Sequence, residues 1–281
     1  MAQRLIIEAG RSERQYWRDL WRYRELFVFL AWRDLLIRYK QTAVGVAWSL
    51  LRPALTMLAL LMTMKIAGLK GGDSPAPLFL ICGMLPWQFF STALSESGNS
   101  LVNNSNLISK VYFPRLVVPA SSVITSFVDF LIASAFAVLL LFWFRFVPPM
   151  NVFLLPLFVL LTLGASLGAG LWIAALMVKY RDFRFIVPFA VQFGLYACPV
   201  LTMTARVPEY YLWHGIGIPA RFLYSLNPVV GIIDGYRWCM LGGDHGIYLP
   251  GLAASIAGVT VLMWTGVAYF RKTERSFADM I

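Results

Sequence analysis

The sequence predicts an all-α, polytopic membrane protein with six transmembrane helices, an N-terminal amphipathic interface helix and a short outer re-entrant helix pair before the last span. Two observations lead to this prediction. Of 281 residues, 59% are hydrophobic and only 14% are charged, whereas an ordinary soluble domain is about half apolar. Several apolar stretches also approach the roughly 20 residues that a helix needs to cross a hydrocarbon core about 30 Å thick.

Six apolar segments account for the predicted spans. We place them near residues 44–67, 78–100, 116–144, 150–178, 185–203 and 249–270. The third and fourth are separated only by Arg145-Phe-Val-Pro-Pro-Met150, and a proline turn this short joins antiparallel neighbours. The first 40 residues contain no uninterrupted apolar run typical of a signal peptide, so we expect the first span to direct insertion.

The distribution of Lys and Arg predicts the orientation. Most of these 24 residues lie in residues 1–40, in the connection 101–115, near 179–184 and after Phe270, all on one side of the predicted topology. Basic residues accumulate on the cytoplasmic side of membrane proteins, so we expect both termini in the cytoplasm. Because the basic residues flank apolar segments, the net charge of +10 does not indicate a nucleic-acid partner.

Residues 1–40 form a predicted cytoplasmic N-terminal segment, and a six-helix transmembrane domain is expected over 41–281. Within 11–32, charged side chains recur on one helical face and apolar side chains cover much of the other. The charged set is Arg11, Arg14, Arg18, Arg22 and Glu25, and the apolar set is Trp17, Leu20, Trp21 and Val28. Such a helix is typical of the membrane headgroup plane. A soluble helix packed on a partner is the alternative.

Residues 204–248, between the last two spans, form a predicted outer re-entrant region. Asn227-Pro228 is typical of an N-cap followed by proline at the first helical position, and Gly242-Gly243 of a helix stop. A helix over 228–240 would be about 20 Å long, too short to cross. Together with Pro208 to Trp213, this segment is predicted to form a pair of short helices. The pair either lines a conduit or closes over the bundle.

Several spans contain polar or small residues. The second span carries a polar stripe on one helical face, formed by Gln88, Ser91, Thr92, Ser95 and Asn99. The stripe indicates either hydrogen bonding between helices or the wall of a polar path. For the intramembrane acids Glu96 and Asp129 we expect structural partners rather than a proton relay. Gly164 and Gly168, spaced as GxxxG, predict the close approach of another helix.

The sequence contains no GxxxxGK[ST] phosphate loop and no HExxH metal pair, and its GxSxG match, Gly164-Ala-Ser-Leu-Gly168, lies inside a predicted span rather than at a strand-to-helix elbow. We therefore expect no catalytic residue, no ATP site and no metal on this chain. His214 and His245 are isolated in predicted outer segments. Cys82, Cys198 and Cys239 are widely spaced, which favours apolar packing over metal binding.

Five local motifs occur in order along nearly the whole chain. They are Arg38-Tyr-Lys-Gln-Thr-Ala-Val-Gly-Val-Ala-Trp48 with Arg52-Pro53, Asn103-Asn-Ser-Asn-Leu-Ile-Ser-Lys-Val-Tyr-Phe-Pro-Arg115, Tyr180-Arg-Asp-Phe183, Leu226-Asn-Pro-Val-Val-Gly-Ile-Ile-Asp-Gly-Tyr-Arg237 and Glu274-Arg-Ser-Phe-Ala-Asp279. Each is modest alone, but their order resembles that of the permease subunits of bacterial polysaccharide ABC exporters. This ABC-2 type group moves O-antigen, capsule or teichoic acid chains.

The resemblance implies a homodimer that encloses a channel in the bacterial inner membrane, with two copies of a separate ABC ATPase subunit that binds ATP and Mg²⁺. It implies a glycan substrate linked to a polyprenyl diphosphate. We expect Arg38, Lys40 and Arg52 to attract the diphosphate where it enters from the inner leaflet. Sugar rings pack on flat side chains, and the candidates are Trp87, Phe90, Tyr196, Tyr224 and Trp238. Core packing or interfacial anchoring is the alternative for each.

Residues 103–115 resemble the coupling helix of that group. We expect an asparagine or serine side chain to cap this helix and Pro114 to end it. The candidate ATPase contacts are Asn106, Leu107, Ile108, Lys110, Val111, Phe113 and Arg115. Leu107, Ile108 and Val111 are expected to be exposed and to enter a cleft of the ATPase. The alternative is a simple connection between spans.

Two other classes of function remain open at this point. A drug or small-lipid exporter of the same superfamily would share the six spans but would need no wide aromatic channel. An integral membrane glycosyl- or acyltransferase would need a nucleophile or general base in a pocket and would be active without an ATPase.

Overall fold

The computed structural model describes residues 13–40, 47–69, 71–213, 216–242, 246–274 and 277. The helices of this part are α1 (Glu13–Arg22), α2 (Arg24–Lys40), α3 (Ala47–Ile66), α4 (Ala76–Asn103), α5 (Ser105–Lys110), α6 (Val117–Trp143), α7 (Leu155–Lys179), α8 (Phe183–Ala197), α9 (Ala220–Ser225), α10 (Pro228–Met240) and α11 (Leu249–Glu274). Short 3-10 turns lie at Met150–Leu154 and Thr204–Arg206, and two strands are β1 (Tyr211–Trp213) and β2 (Ile216–Ile218).

Five helices of the described part are long and apolar enough to cross a membrane. They are α3, α4, α6, the continuous segment Met150–Lys179 that contains α7, and α11. Their bounds lie within a few residues of five predicted spans, although residues 44–46 of the first lie outside the described residues. The prediction of a multi-pass helical membrane protein is confirmed.

The fifth predicted span, 185–203, is shorter in the structure. Helix α8 has 15 residues, or about 22 Å at the helical rise per residue. It ends at Ala197, and Cys198 is extended because the residue before a proline, here Pro199, is disfavoured in helical conformation. Residues 198–203 therefore continue the segment as irregular backbone.

Helix α4 lies at the centre of the bundle. In the most apolar 18-residue stretch of each helix, 72% of α4 is buried, whereas 22% of α3 is buried. Helix α3 packs on α4 and α6, helix α8 packs on α4 and α7, and α6 and α7 contact each other. Helix α10 also packs on α4 and on α7. The least buried face of α4 carries Gln88, Thr92, Ser95 and Asn99.

The predicted small-residue contact on the fourth span is confirmed. A Cβ atom added at Gly168 would lie 2.7 Å from backbone atoms of Leu262 and Met263 on α11. One added at Gly266 would lie 2.3 Å from the carbonyl oxygen of Gly168. Since no side chain fits between these backbones, the glycines allow α7 and α11 to cross in direct contact.

The predicted helix 228–240 is confirmed at both ends. The Asn227 side chain accepts a hydrogen bond from the Val229 backbone N–H at 3.1 Å, and Pro228 occupies the first helical position. Gly242 has φ +58°, a backbone conformation that favours glycine. Gly243 and His245 lie outside the described residues.

The first helix of the predicted outer pair is misplaced. Pro208 to Trp213 does not form a helix, because Tyr211–Trp213 pairs antiparallel with Ile216–Ile218. Aromatic and β-branched residues favour strands, which explains this local structure. Helix α9 is instead the companion of α10, and the re-entrant position of this pair stays a prediction. His214 lies outside the described residues.

The N-terminal helix is longer than predicted. Helices α1 and α2 run from Glu13 to Lys40 with a break at Tyr23. Leu30 and Ala31 are buried, and α2 packs on α6. The opposite face is apolar and exposed at Trp21, Val28, Phe29 and Trp32. Apolar residues therefore lie on both faces of α2, and the amphipathic helix in the headgroup plane stays a prediction.

Candidate functional site

An ionic cluster joins the end of α2 to two spans. The Arg38 guanidinium donates to Glu96 on α4 at 2.7 Å and to Asp129 on α6. The Tyr39 hydroxyl also donates to Asp129, and burial together with this bond raises the pKa of Tyr39, which keeps it protonated. The expectation that the two acids have structural partners is confirmed.

This cluster changes the setting of the residues expected to attract a diphosphate. Arg38 contacts two carboxylates, so its charge is already compensated, and a diphosphate would have to displace one of them. Lys40 and Arg52 are exposed, and neither forms an ion pair with another described residue. The role of all three as a diphosphate site stays a prediction.

The polar stripe on α4 is partly open. Gln88, Thr92, Ser95 and Asn99 are half-buried, whereas Ser91 is buried. Hydrogen bonds run along α4 itself, from Ser91 to the Gln88 carbonyl, from Ser95 to the Ser91 carbonyl and from Asn99 to the Ser95 carbonyl. The stripe is therefore a polar surface on an otherwise deeply buried helix.

The candidate glycan-stacking aromatics do not form one cluster. Trp87 is buried and packs so tightly on α8 that a Cβ at Gly194 would lie 2.3 Å from its ring. Its ring centroid is 5.9 Å from that of Phe90. Tyr196 is exposed on α8, and Tyr224 and Trp238 are half-buried on α9 and α10.

An aromatic ridge on α8 was not among the predicted site residues. Phe189 and Phe193 are exposed, with ring centroids 4.4 Å apart. Their spacing of four residues, continued by Tyr196 three residues later, places the three rings on one face of the helix. That spacing was the signal in the sequence.

Residues 103–115, which we call the coupling segment after their predicted role, contain the short helix α5. Its start and end differ from those expected. The Asn104 side chain does not cap it; its amide donates to the Ser100 carbonyl at 2.9 Å, and its oxygen accepts from Arg33 at 2.7 Å. The helix ends at Lys110, and Val111 is already extended. The end therefore lies earlier than Pro114, which was expected to end the helix.

The expected exposure of Ile108 is wrong. Ile108 and Phe113 are 5% and 4% exposed, within a group of buried apolar residues that we call the inner cluster. Its members are Leu30, Leu101, Ile108, Phe113, Leu116, Val117, Val118, Leu171, Ala174, Ala175, Phe270 and Phe277. These residues come from separate parts of the chain, and their apolar side chains are driven together by exclusion from water. Leu107 is half-buried beside them.

The exposed surface of the segment is formed by other residues. Asn106, Ser109 and Lys110 are exposed, and Val111 and Tyr112 are 50% and 53% exposed. We call these five residues the contact face. The expected exposure of Val111 is confirmed, whereas Tyr112 was not among the predicted ATPase contacts.

Arg115 and Glu274 connect the coupling segment to both ends of the chain. The Arg115 backbone N–H donates to Glu274 Oε1 at 2.8 Å, and the Arg115 guanidinium donates to the Glu274 carbonyl. The Tyr16 hydroxyl on α1 donates to Glu274 Oε2 at 2.9 Å. Arg115 thus lies in an intramolecular network, and its predicted role at an ATPase contact stays a prediction.

At the opposite end of the bundle, Arg237 on α10 is fully buried. Its guanidinium donates to the carbonyl oxygens of Phe79, Pro199, Val200 and Thr202. It also lies 3.8 Å from the centroid of the Phe79 ring. A Cβ at Gly83 would be 2.3 Å from Nη2, so the glycine leaves the room that the arginine needs.

Arg237 explains how α8 can be so short. Irregular backbone at membrane depth must have its polar groups satisfied by protein or water. The carbonyls of residues 199, 200 and 202, which follow α8, receive their hydrogen bonds from this single side chain. Arg237 belongs to one of the five sequence motifs, but no role was predicted for it.

Taken together, the helices define a polytopic membrane protein with a short exposed helix between two spans. The chain matches the ABC-2 type transporter family over residues 25–241, and it belongs to that family. It is therefore a transport subunit rather than an enzyme.

Curated relatives align along nearly the whole chain. The O-antigen export system permease protein RfbA of Myxococcus xanthus is 28% identical over 266 residues, which cover 94% of this chain and 98% of that protein. Two proteins of the same name from Klebsiella pneumoniae are 25% and 26% identical, and each alignment covers 92% of this chain and 95% of the relative.

Proposed function

We propose that this chain is the membrane subunit of an ATP-driven exporter of lipid-linked polysaccharide. The observation that carries the proposal is the alignment with O-antigen export permeases over at least 92% of the chain. It favours a glycan exporter over a drug or small-lipid exporter and over a membrane transferase. The protein acts in the bacterial inner membrane, with both termini and the coupling segment in the cytoplasm.

The proposed functional unit is a homodimer whose second copy covers the open side of α4. The polar stripe lies on the least buried face of α4. Contact between this stripe and lipid would be unfavourable. The flanking helices expose apolar residues that suit protein or lipid contact: Trp48, Leu51, Leu55, Leu58, Met62 and Ile66 on α3, and Phe185, Ile186, Phe189, Phe193 and Tyr196 on α8. Packing α3 of one copy against α8 of the other would enclose the two stripes.

The substrate path then follows the enclosed surface of α4. The stripe supplies hydrogen-bonding groups to hydroxyl-rich sugars, and the aromatic rings of Phe90 and Tyr196 supply flat apolar surfaces for sugar C–H faces. Lys40 and Arg52, both exposed, attract the polyprenyl diphosphate from the inner leaflet. Arg38 binds the diphosphate only after it leaves Glu96 or Asp129.

The contact face provides the docking surface for a separate ABC ATPase, where ATP and Mg²⁺ bind. Val111 and Tyr112 are half-exposed apolar groups beside Lys110, and the inner cluster beneath them holds α5 against the bundle. A short helix fixed between two spans can pass nucleotide-driven motion to both as a rigid body.

Replacing Val111 and Tyr112 together by Asp is expected to release the ATPase. Burial of a large apolar side chain at an interface contributes roughly 1.5 to 3 kcal/mol, so the ATPase co-purified with the detergent-solubilised variant should fall at least about tenfold. The variant itself should reach the membrane normally, because neither side chain belongs to the inner cluster.

The matched control is the double variant Tyr210→Asp and Tyr211→Asp. These tyrosines are 62% and 55% exposed at the far end of the bundle, so the control should retain the ATPase. If the Val111 and Tyr112 variant co-purifies with as much ATPase as the control does, the contact face is not the docking surface.

A further inference from the structure

We propose that Glu274 is a positioning residue that joins the coupling segment, the N-terminal helix and the last span into one mechanical unit. The inference rests on the proposed function of the coupling segment as the ATPase contact. It assigns Glu274 the role of transmitting displacement of that segment to α1 and α11, which have no direct chain connection to it.

The carboxylate of Glu274 bonds two elements at once. Oε1 accepts the Arg115 backbone N–H at 2.8 Å, and Oε2 accepts the Tyr16 hydroxyl at 2.9 Å. Arg115 returns a second bond from its guanidinium to the Glu274 carbonyl. Two of the three bonds therefore join the last residue of α11 to the segment between α5 and α6, and the third joins it to α1.

Glu274 also lies beside the start of α6. This helix begins at Val117, and its N-cap residue, Leu116, has no side-chain cap bond. The N–H groups of Val117 and Val118 bond to the Pro114 and Arg115 carbonyls, and the helix N-terminus carries partial positive charge that favours a nearby carboxylate. Glu274 supplies that carboxylate from another helix, immediately beside the N-cap.

Neighbouring side chains pack against Tyr16 and against the end of α11. The Arg271 guanidinium lies 4.7 Å from the centroid of the Tyr16 ring. Phe277, beyond the end of α11, is fully buried, with its ring centroid 5.4 Å from that of Phe270 in the inner cluster. Burial raises the pKa of Tyr16, so its hydroxyl stays protonated as the donor.

Directional bonds matter here because the rest of the junction is apolar. Inner-cluster side chains attract one another without fixed direction, so α1 and α11 could slide over the coupling segment by small steps. Hydrogen bonds to a charged group are shorter and roughly twice as strong as neutral ones. They fix the register of the three elements.

The test uses the full complex of this chain and its ATPase in proteoliposomes, with export and ATP hydrolysis measured together. Glu274→Ala should retain bound ATPase and hydrolyse ATP within about twofold of the wild type, while glycan exported per ATP falls about tenfold. Tyr16→Phe removes only one hydroxyl and should lower the same ratio about threefold. Adding Tyr16→Phe to Glu274→Ala should produce no further loss, because both remove the same bond.

Lys272→Ala is the matched control, since Lys272 is exposed on the same turn of α11, and it should leave the ratio unchanged. An unchanged ratio in an assembled Glu274→Ala complex overturns the proposal. If Glu274→Ala fails to assemble, an unchanged ratio in Tyr16→Phe overturns it equally. Loss of bound ATPase from the Val111 and Tyr112 variant, alongside an unchanged ratio in Glu274→Ala, would leave the proposed function standing and refute only this inference.

Discussion

Replacing Arg237 by Leu is expected to abolish export and to remove most of the folded protein. The substitution leaves the carbonyls of Pro199, Val200 and Thr202, in the irregular backbone after α8, without this donor in a buried site. An unsatisfied buried polar group costs about 1–3 kcal/mol. With three such groups, the loss in the free energy of unfolding should reach about 3 kcal/mol or more.

The measurement is the thermal midpoint of the detergent-solubilised protein, followed by the loss of monodisperse protein in size-exclusion chromatography. Arg237→Lys should give an intermediate loss, because lysine keeps the charge but lacks the planar set of donors that reaches several carbonyls. Gly83→Ala should also lower the midpoint, since its Cβ would lie 2.3 Å from Arg237 Nη2. An Arg237→Leu variant as stable as the wild type would show that Arg237 does not support the loop after α8.

Substitution of Gly266 by Val is expected to disrupt the crossing of α7 and α11. Even the first side-chain carbon would lie 2.3 Å from the Gly168 carbonyl oxygen, and backbone cannot move aside as a flexible side chain can. Overpacking typically costs about 1–3 kcal/mol, and contact with backbone should bring the loss to the upper part of that range or beyond.

Gly258→Ala is the control on the same helix. A Cβ at Gly258 would first meet Pro228 at 3.4 Å, an ordinary contact distance. In the same thermal assay, Gly258→Ala should leave the midpoint nearly unchanged while Gly266→Val lowers it strongly. Equal midpoints for the two variants would contradict the direct contact between α7 and α11.

Local signals in the sequence were sufficient for much of the fold. Five spans follow from apolar length, because only a helix satisfies its own backbone in hydrocarbon. The bounds of α10 follow from Asn227, Pro228 and Gly242, whose preferences at helix ends do not depend on distant contacts. The close crossing of α7 and α11 follows from small residues at GxxxG spacing.

The features that escaped prediction depend on contacts between distant residues. Helix α8 ends before Pro199, and the Pro199 carbonyl then accepts a hydrogen bond from Arg237, which lies 38 residues away in the chain. Ile108 is apolar on a short surface helix, and only the fold shows that the inner cluster covers it. Arg38 was expected to attract an anion, but its partners Glu96 and Asp129 come from two other helices. No local pattern specifies such pairings.

The strand pair β1–β2 was missed for a different reason. The segment was assigned to helix because of its place between two spans, although Tyr211, Ile216 and Ile218 favour strands. The aromatic candidates for glycan contact were likewise chosen by residue type alone. The structure places Trp87 in a buried contact with α8 and exposes Phe189 and Phe193 instead.

The central claim, ATP-driven export of a lipid-linked glycan, is tested most directly by transport in proteoliposomes that contain this chain and its ATPase. The substrate is a fluorescently labelled polyprenyl-diphosphate glycan supplied on the side that carries the ATPase, and its arrival on the other side is read from protection against an added glycan hydrolase. The proposed function predicts arrival that requires ATP, both subunits and an intact ATPase site. Glycan that stays accessible to the hydrolase under all these conditions, while the complex hydrolyses ATP and moves a small lipid or drug, would contradict it.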